Sequence, residues 1–262
     1  MPESSPFSLA GKVVVQFGGT GLLGRALVDA LGAAGATLVV ASRDQATIEK
    51  GIATSRAAGR QLHAEQVDIT NEASVAGLRD RVITTHGRID GLVFNAVSRP
   101  MRGERDTVAA WEESMKVNAT GLFLTLRTIA DAMGAQPAGG SIVNIASIQG
   151  MVGANPWLYE GTAMGTVPDY FFHKGGMLNL TRHYASLYGP KKVRVNVVSP
   201  GGIYNPDKPQ AAPFLERYGQ MTMLGRMAEA REIGGAVVFL LSDAASYVTG
   251  VNLPVDGGYT AK

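Results

Sequence analysis

Residues 12–24, KVVVQFGGTGLLG, decide the fold. Lys12 to Phe17 is a short β-branched run of the kind that forms a buried strand. It ends on Gly18 and Gly19, and leucines at 23, 27 and 31 then recur at helical spacing between Leu22 and Gly35. A second strand follows at Thr37 to Ser42. Strand, glycine turn, helix and strand make a βαβ unit. Glycines at 18, 21 and 24 let backbone approach a pyrophosphate, whose charge meets free N–H groups at the helix N-terminus. The turn therefore reads as a nucleotide cradle in preference to an ordinary glycine-rich connection.

The same alternation continues outward. Asp44 to Ala58 reads as a helix and Gln61 to Val67 as a strand. Asn71 to Gly87 is a helix capped by Thr70 or Asn71, and Ile89 to Phe94 a strand. Helical stretches at Thr107–Val117 and Ala119–Met133 precede a strand at Ser141 to Ala146. An irregular segment, Ser147 to Gly165, leads into a helix with Pro168 near its start, where a missing N–H costs nothing. A strand at Val193–Val198, a helical excursion at Lys208–Gln220 (within a segment of about 205–228), a helix at Glu229–Leu241 and a strand at Val251–Val255 complete the chain. Such alternation predicts an α/β fold, a doubly wound parallel sheet with helices on both faces. No repeat or linker divides it, so 1–262 reads as a single domain. The segments after Phe17, Ser42, Val67, Phe94, Ala146 and Val198 should converge on one crevice at the carboxyl ends of the strands.

Composition narrows the function. The 262 residues are 45% hydrophobic and 18% charged, with a net charge of +2. That balance, without a Lys/Arg run, argues against nucleic acid as a partner. There is no cysteine, so disulfides and thiolate chemistry drop out and a cytoplasmic setting is compatible. Met1 to Ala10 lacks a leader pattern, and runs such as Ala236 to Leu241 are too short to span a bilayer. The four histidines, 63, 86, 173 and 183, have no metal-ligand spacing, so no metal is expected.

Several residues then stand out. Ser42 occupies the strand end where an acid would hold the 2′-OH of NAD, and Arg43 follows it, which favours the 2′-phosphate of NADP(H) over NAD(H). Asp44 reads as a helix cap or an inward ribose ligand. Asp68 and Asn95 end the third and fourth strands, as loop and cap residues or as an adenine contact and crevice structure respectively. Tyr170 and Lys174 are four apart and share one helix face. An ammonium beside a phenol favours its anionic form and suits it to proton transfer.

With these pieces in order, the chain resembles the short-chain dehydrogenase/reductase family in its single-domain, Rossmann-type branch, from Leu9 to Tyr259. The resemblance rests on Gly18–Gly24, Asp68, Asn95-Ala96, Val117-Asn118 and Ile142-Val143-Asn144-Ile145-Ala146-Ser147. It continues through Tyr170-x-x-x-Lys174, Arg194-Val195-Asn196, Ser199-Pro200-Gly201 and Gly250 to Gly258. It implies a catalytic set of Asn118, Ser147, Tyr170 and Lys174. Tyr170 would be the general acid/base and Lys174 its electrostatic partner and ribose ligand. Ser147 would bond the substrate oxygen and stabilise charge developing there, and Asn118 would hold a water linking Lys174 to solvent. Cofactor contacts would come from Gly18, Thr20, Gly21, Leu23, Gly24, Ser42, Arg43, Asp68, Ile69, Asn95, Ala96, Tyr170, Lys174, Pro200, Gly201 and Ile203. Three features depart from the family pattern. Phe17 and Leu22 replace a Thr and a Gly of the glycine turn, with Gly21 one place early. Val97 replaces a Gly. Ser147 and Tyr170 lie 23 apart, which puts an insertion at about 149–169. Tyr159 fits the usual spacing better, but Ala163 stands four residues on, so Tyr170 is preferred.

The loops that should frame the substrate carry Arg99, Arg102, Gln149, Asn155, Trp157, Tyr159, Glu160, Tyr204 and Asn205. Of these, Gln149, Asn155, Trp157, Tyr159 and Tyr204 are the candidate contacts. Aromatic faces among amides and charges suit a sugar, polyol or sugar acid. The expected reaction interconverts a secondary alcohol and a ketone on such a small molecule. The alternatives are reduction of a bulky cyclic or aromatic ketone, a sugar-nucleotide epimerase or dehydratase, and a non-catalytic nucleotide-binding module. From the resemblance alone, a homotetramer or a dimer is expected.

Overall fold

The computed structural model describes residues 5–262; part of the leader reading falls on residues 1–4, outside them. In chain order the elements are β1 (Val13–Phe17), α1 (Leu22–Ala33), β2 (Thr37–Ser42), α2 (Gln45–Ala57), β3 (Leu62–Gln66), α3 (Glu72–His86) and β4 (Gly91–Phe94). Then come α4 (Val108–Met115), α5 (Leu122–Gly134), β5 (Gly140–Ile145), α6 (Pro168–Tyr188), β6 (Val193–Pro200), α7 (Ala212–Met221), α8 (Gly234–Leu241) and β7 (Asn252–Val255). The strands form one sheet in the order β3-β2-β1-β4-β5-β6-β7, every pair parallel.

Parallel strands covered on both faces need apolar side chains on both, and β1 and β4 are buried along their whole length. Successive residues go to opposite layers, as the strand period of two requires. Val15, Leu92, Ile142 and Val195 pack with Leu78, Leu126, Ile129 and Met177 of α3, α5 and α6. Their neighbours Val14, Val93 and Val143 pack with Leu27, Leu31, Val237 and Leu240 of α1 and α8. The strand order reverses between β1 and β4, so a crevice opens at their carboxyl ends. No helix is long and apolar enough to cross a membrane, among the described residues.

The helix starts follow local chemistry. The Asn71 side chain caps α3 by accepting from Ser74 N at 3.0 Å, and Pro168 occupies the first turn of α6. The two helical stretches expected at 107–117 and 119–133 differ from the structure. They are one continuous run, interrupted by a π-helical turn at Lys116–Gly121. The widened turn carries buried Asn118, and Gly121 lies against Ile69, where a Cβ would come within 2.8 Å of Ile69 Cγ1. Strand β6 runs two residues further than expected because β7 pairs with Ser199 and Pro200.

The segment of about 149–169 has local structure of its own. It folds through short 3₁₀ turns at Ile148–Gly150 and Pro156–Tyr159. Its Leu158 is buried with Phe214, Tyr218 and Met227, and Tyr159 and Met164 pack against them. Arg217 of α7 donates to the carbonyl oxygens of Trp157, at 3.0 Å, and Glu160. This segment and α7 thus form one small apolar unit roofing the carboxyl end of the sheet.

Candidate active site

The glycine turn is clamped from several sides. Gly18 has φ +82°, and a Cβ there would lie 2.7 Å from Ala96 N, so both its backbone conformation and its space demand glycine. A Cβ on Gly24 would collide with the Gly18 carbonyl oxygen. Asn95 Nδ2 donates to Gly18 O at 2.6 Å and Gln16 Nε2 to Gly24 O at 2.9 Å. Thr20 packs beside Gly51 of α2. Helix α1 begins after Gly21 with no side-chain cap, which leaves its first N–H groups free where Gly21, Leu22, Leu23 and Gly24 line the crevice. Uncapped donors and a turn packed too tightly at Gly18 and Gly24 for any side chain suit a dinucleotide pyrophosphate. Leu22 is the first residue of α1.

At the end of β2, Arg43 is exposed. Asp44 accepts from Ala46 N at 2.9 Å, Thr47 N at 3.3 Å and Thr47 Oγ1 at 2.7 Å. Those bonds, the Thr47 hydroxyl first, hold its carboxyl below the usual range. Asp44 is therefore spent as the cap of α2. Asp68 Oδ1 accepts from Thr70 N at 2.9 Å and Thr70 Oγ1 at 2.8 Å, and the Thr70 bonds lower its pKa. Ile69 is buried beside it.

A cavity of about 580 Å³ continues from the turn under the roof. Ser147, Gln149, Tyr159, Tyr170, Lys174, Pro200, Gly201 and Ile203 all line it. Ser147 sits just past β5, 8% exposed, its Oγ accepting from Gln149 N at 3.2 Å. Lys174 is buried and donates through Nζ to Ile145 O at 2.7 Å. Its Nζ is 5.6 Å from the Tyr170 ring centroid. Burial, reinforced by Arg99, pulls the Lys174 pKa down to about 7. Arg99 Cζ lies 4.8 Å over the Tyr170 ring, and its Nη2 donates to Tyr170 Oη at 3.5 Å. His173 meets the same ring edge-on at 5.2 Å.

Asn118 stands behind this group, 2% exposed. Its Oδ1 accepts from Ser98 N at 2.9 Å, and its Nδ2 donates to Ser98 O at 2.8 Å and Ser114 Oγ at 2.9 Å. Ser114 donates in turn to buried Asp169 of α6. The chain ties α4, the π-turn, the loop after β4 and the base of α6 together. Neither Ser114 nor Asp169 was anticipated from sequence, where Asp169 reads as an ordinary acid at a helix start. Nothing about the serine marks it.

Among the proposed substrate contacts, Gln149 Nε2 donates to Tyr159 Oη at 3.3 Å. Tyr159 packs on Phe214 at 5.6 Å, and burial raises its pKa. No cation lies over its ring among the described residues, in contrast to Tyr170. Asn155, Trp157 and Tyr204 do not line the cavity. Asn155 caps the 3₁₀ turn by accepting from Trp157 N at 3.1 Å. Trp157 faces outward under Arg217. Tyr204 is 37% exposed. Val97, Met164, Gln210 and Phe214 line the cavity in their stead. Val97 stands out in the sequence as a departure from the family pattern, whereas Met164, Gln210 and Phe214 carry no such signal.

A family model described as enoyl-(acyl carrier protein) reductase, adh_short_C2, matches residues 21–260. The 2,5-dichloro-2,5-cyclohexadiene-1,4-diol dehydrogenase of Sphingobium indicum is 35% identical, over 97% of this chain and 98% of its own. The cis-4-hydroxycyclohexanecarboxylate dehydrogenase of Sinomonas cyclohexanicum is 36% identical, over 97% and 98%. Among solved structures, a gluconate 5-dehydrogenase from Burkholderia cenocepacia, in complex with NADP and tartrate, superposes with a TM-score of 0.88. It is 27% identical and covers 98% of each chain. Sequence, sheet order and relatives agree: the chain belongs to the short-chain dehydrogenase/reductase family, an oxidoreductase acting on CH–OH groups with an NAD(P) nucleotide.

Proposed function

We propose that the protein interconverts a secondary alcohol and a ketone on a compact ring, with NADP(H) as its nucleotide. The observation that carries the reading is the convergence of Ser147, Tyr170 and Lys174 on one cavity beside the glycine turn. The nucleotide, when bound, supplies the hydride acceptor or donor. Gly18 to Gly24 would hold its pyrophosphate, and Pro200, Gly201 and Ile203 its nicotinamide end.

Tyr170 passes the proton to and from the substrate oxygen. The Ser147 hydroxyl, whose oxygen already accepts from Gln149 N, keeps its own proton to donate to that oxygen and stabilises charge there. Lys174 places positive charge next to the phenol and uses one of its donors on Ile145 O. Asn118 has its side chain committed to Ser98 and Ser114. It acts on the reaction by fixing that wall, and a water relay would run from the widened π-turn.

Val97, Tyr159, Met164, Phe214 and Met227 give the cavity an apolar and aromatic wall, which favours a ring alcohol. Gln149, Asn205 and Gln210 on the same lining support the second reading, a polyhydroxylated substrate. The preference for NADP(H) rests on exposed Arg43 following Ser42 at the end of β2. A homotetramer is supported by exposed Phe123, Phe172 and Leu187 on α5 and α6. The deciding experiment is oxidation of cyclopentanol, cyclohexanol and gluconate by the purified protein with NADP⁺ or NAD⁺. Turnover of the ring alcohols with NADP⁺ is expected. Activity confined to gluconate would favour the second reading, and binding of neither nucleotide below millimolar concentration would sink both.

A further inference from the structure

The cavity is electrically one-sided. Arg99 and Lys174 are its charged side chains, and no aspartate or glutamate lines it. The two cations differ in what they are free to do. Lys174 is buried and engaged with Ile145 O. Arg99 forms no ion pair with any described carboxylate. Its one side-chain hydrogen bond among the described residues is the long 3.5 Å contact to Tyr170 Oη. A guanidinium has five N–H donors in a planar fork that matches a carboxylate. Here the fork is held beside the Tyr170 ring, and its donors other than the Nη2 contact have no partner among the described residues.

The holding is specific. The guanidinium carbon lies 4.8 Å from the centre of the Tyr170 ring, a cation–π contact that holds the group beside the phenol. The residue before it, Ser98, is gripped at both N–H and C=O by Asn118, at 2.9 and 2.8 Å. Two residues on, Met101 is buried at 5% exposure. The loop at 95–107 is thus pinned on both sides of Arg99, which restricts where the side chain can reach and favours a ligand held in one place. Arg99 is exposed at the mouth of the cavity, where a ligand can reach its free donors.

We infer that Arg99 anchors a carboxylate on the substrate, so that the preferred substrate is a hydroxy acid or oxo acid. Because Arg99 reaches Tyr170 Oη, the carboxylate lies only a few bonds from the reacting carbon and away from the far end beneath the roof. This rests on the alcohol/ketone reading above.

The test compares an acid with its neutral counterpart in the wild type, Arg99→Met and Arg99→Lys, each saturated with NADP⁺. One arm measures kcat/KM for 3-hydroxycyclohexanecarboxylate and its methyl ester. The other titrates unreactive cyclohexanecarboxylate and cyclohexanecarboxamide by calorimetry. The acid should be preferred about 10- to 100-fold in the wild type, the worth of a charge-assisted hydrogen bond. The ratio should fall towards one in Arg99→Met and be partly restored in Arg99→Lys, which keeps the charge without the fork. A wild type that binds the acid no better than the amide, or not at all, overturns the inference. So does an Arg99→Met variant that keeps the preference. Because the titration needs no turnover, failure to oxidise any alcohol counts against the alcohol/ketone reading, while the affinity ratio judges Arg99 on its own.

Discussion

The Nζ of Lys174 donates to the carbonyl oxygen of Ile145 at 2.7 Å, which leaves two of its three donors without a protein partner in a buried site. The charged form is poorly compensated there, and burial takes its pKa from 10.5 to about 7. Between those values the unfolded chain holds a proton that the folded, nucleotide-free protein has released. Stability should therefore rise with pH from about 7 to 10.5, and below 7 the full cost of burying the ammonium is felt. Urea midpoints of the wild type measured across that range should climb relative to those of Lys174→Met. Parallel curves would contradict the assignment.

His173 gives the opposite end of the pH scale. It is 4% exposed, neither ring nitrogen has a hydrogen-bond partner among the described residues, and burial, with Lys174 and Arg99 nearby, pushes its pKa down to about 3. Its folded form stays neutral where the unfolded form takes up a proton. Stability should therefore be lost as pH falls from 6.5 towards 3. His173→Phe should show a shallower acid-side loss by circular dichroism, and an unchanged acid limb would argue against it.

Tyr170→Phe should lower kcat by roughly 10²- to 10⁴-fold or more, the range for a general acid–base group, while NADPH still titrates normally. Tyr159→Phe should retain most of kcat and change KM, since its hydroxyl meets only Gln149. A reversal of these two results would move the proton donor to the roof.

Arg43→Ala should weaken NADPH by about 10- to 100-fold, the worth of charge-assisted bonds to a phosphate, and leave NADH nearly unaffected. Fluorescence titration of both nucleotides reads the difference directly. Equal losses would mean that the arginine does not meet the 2′-phosphate.

Ser114→Ala leaves the Asp169 carboxylate and the Asn118 amide each short of a partner. A buried group so deprived costs about 1–3 kcal/mol, and chemical denaturation should show a loss of that size. A loss near zero would mean that solvent reaches the cluster.

The legible features are the local ones. The glycine turn declared itself because strand period, glycines and helix period fall within 24 residues. Tyr170 and Lys174 did so through a one-turn spacing. The Ser114–Asp169 bond joins residues 55 apart and has no sequence signature. The π-turn at Lys116–Gly121 was invisible because the residues on either side are ordinary helix formers. Asn155 and Trp157 lie off the cavity lining, because the inner and outer faces of their loop are decided only when Leu158 docks on Phe214.

That docking has a consequence for how the molecule breathes. Leu158, Phe214, Tyr218 and Met227 form a cluster separate from the two apolar layers of the sheet. Small units with few buried contacts open at lower free energy than the body of a domain. Amide protons of the roof should therefore exchange sooner than those of the strands beneath it. The same separation lets the walls that choose a substrate be rebuilt by mutation without disturbing the nucleotide cradle below.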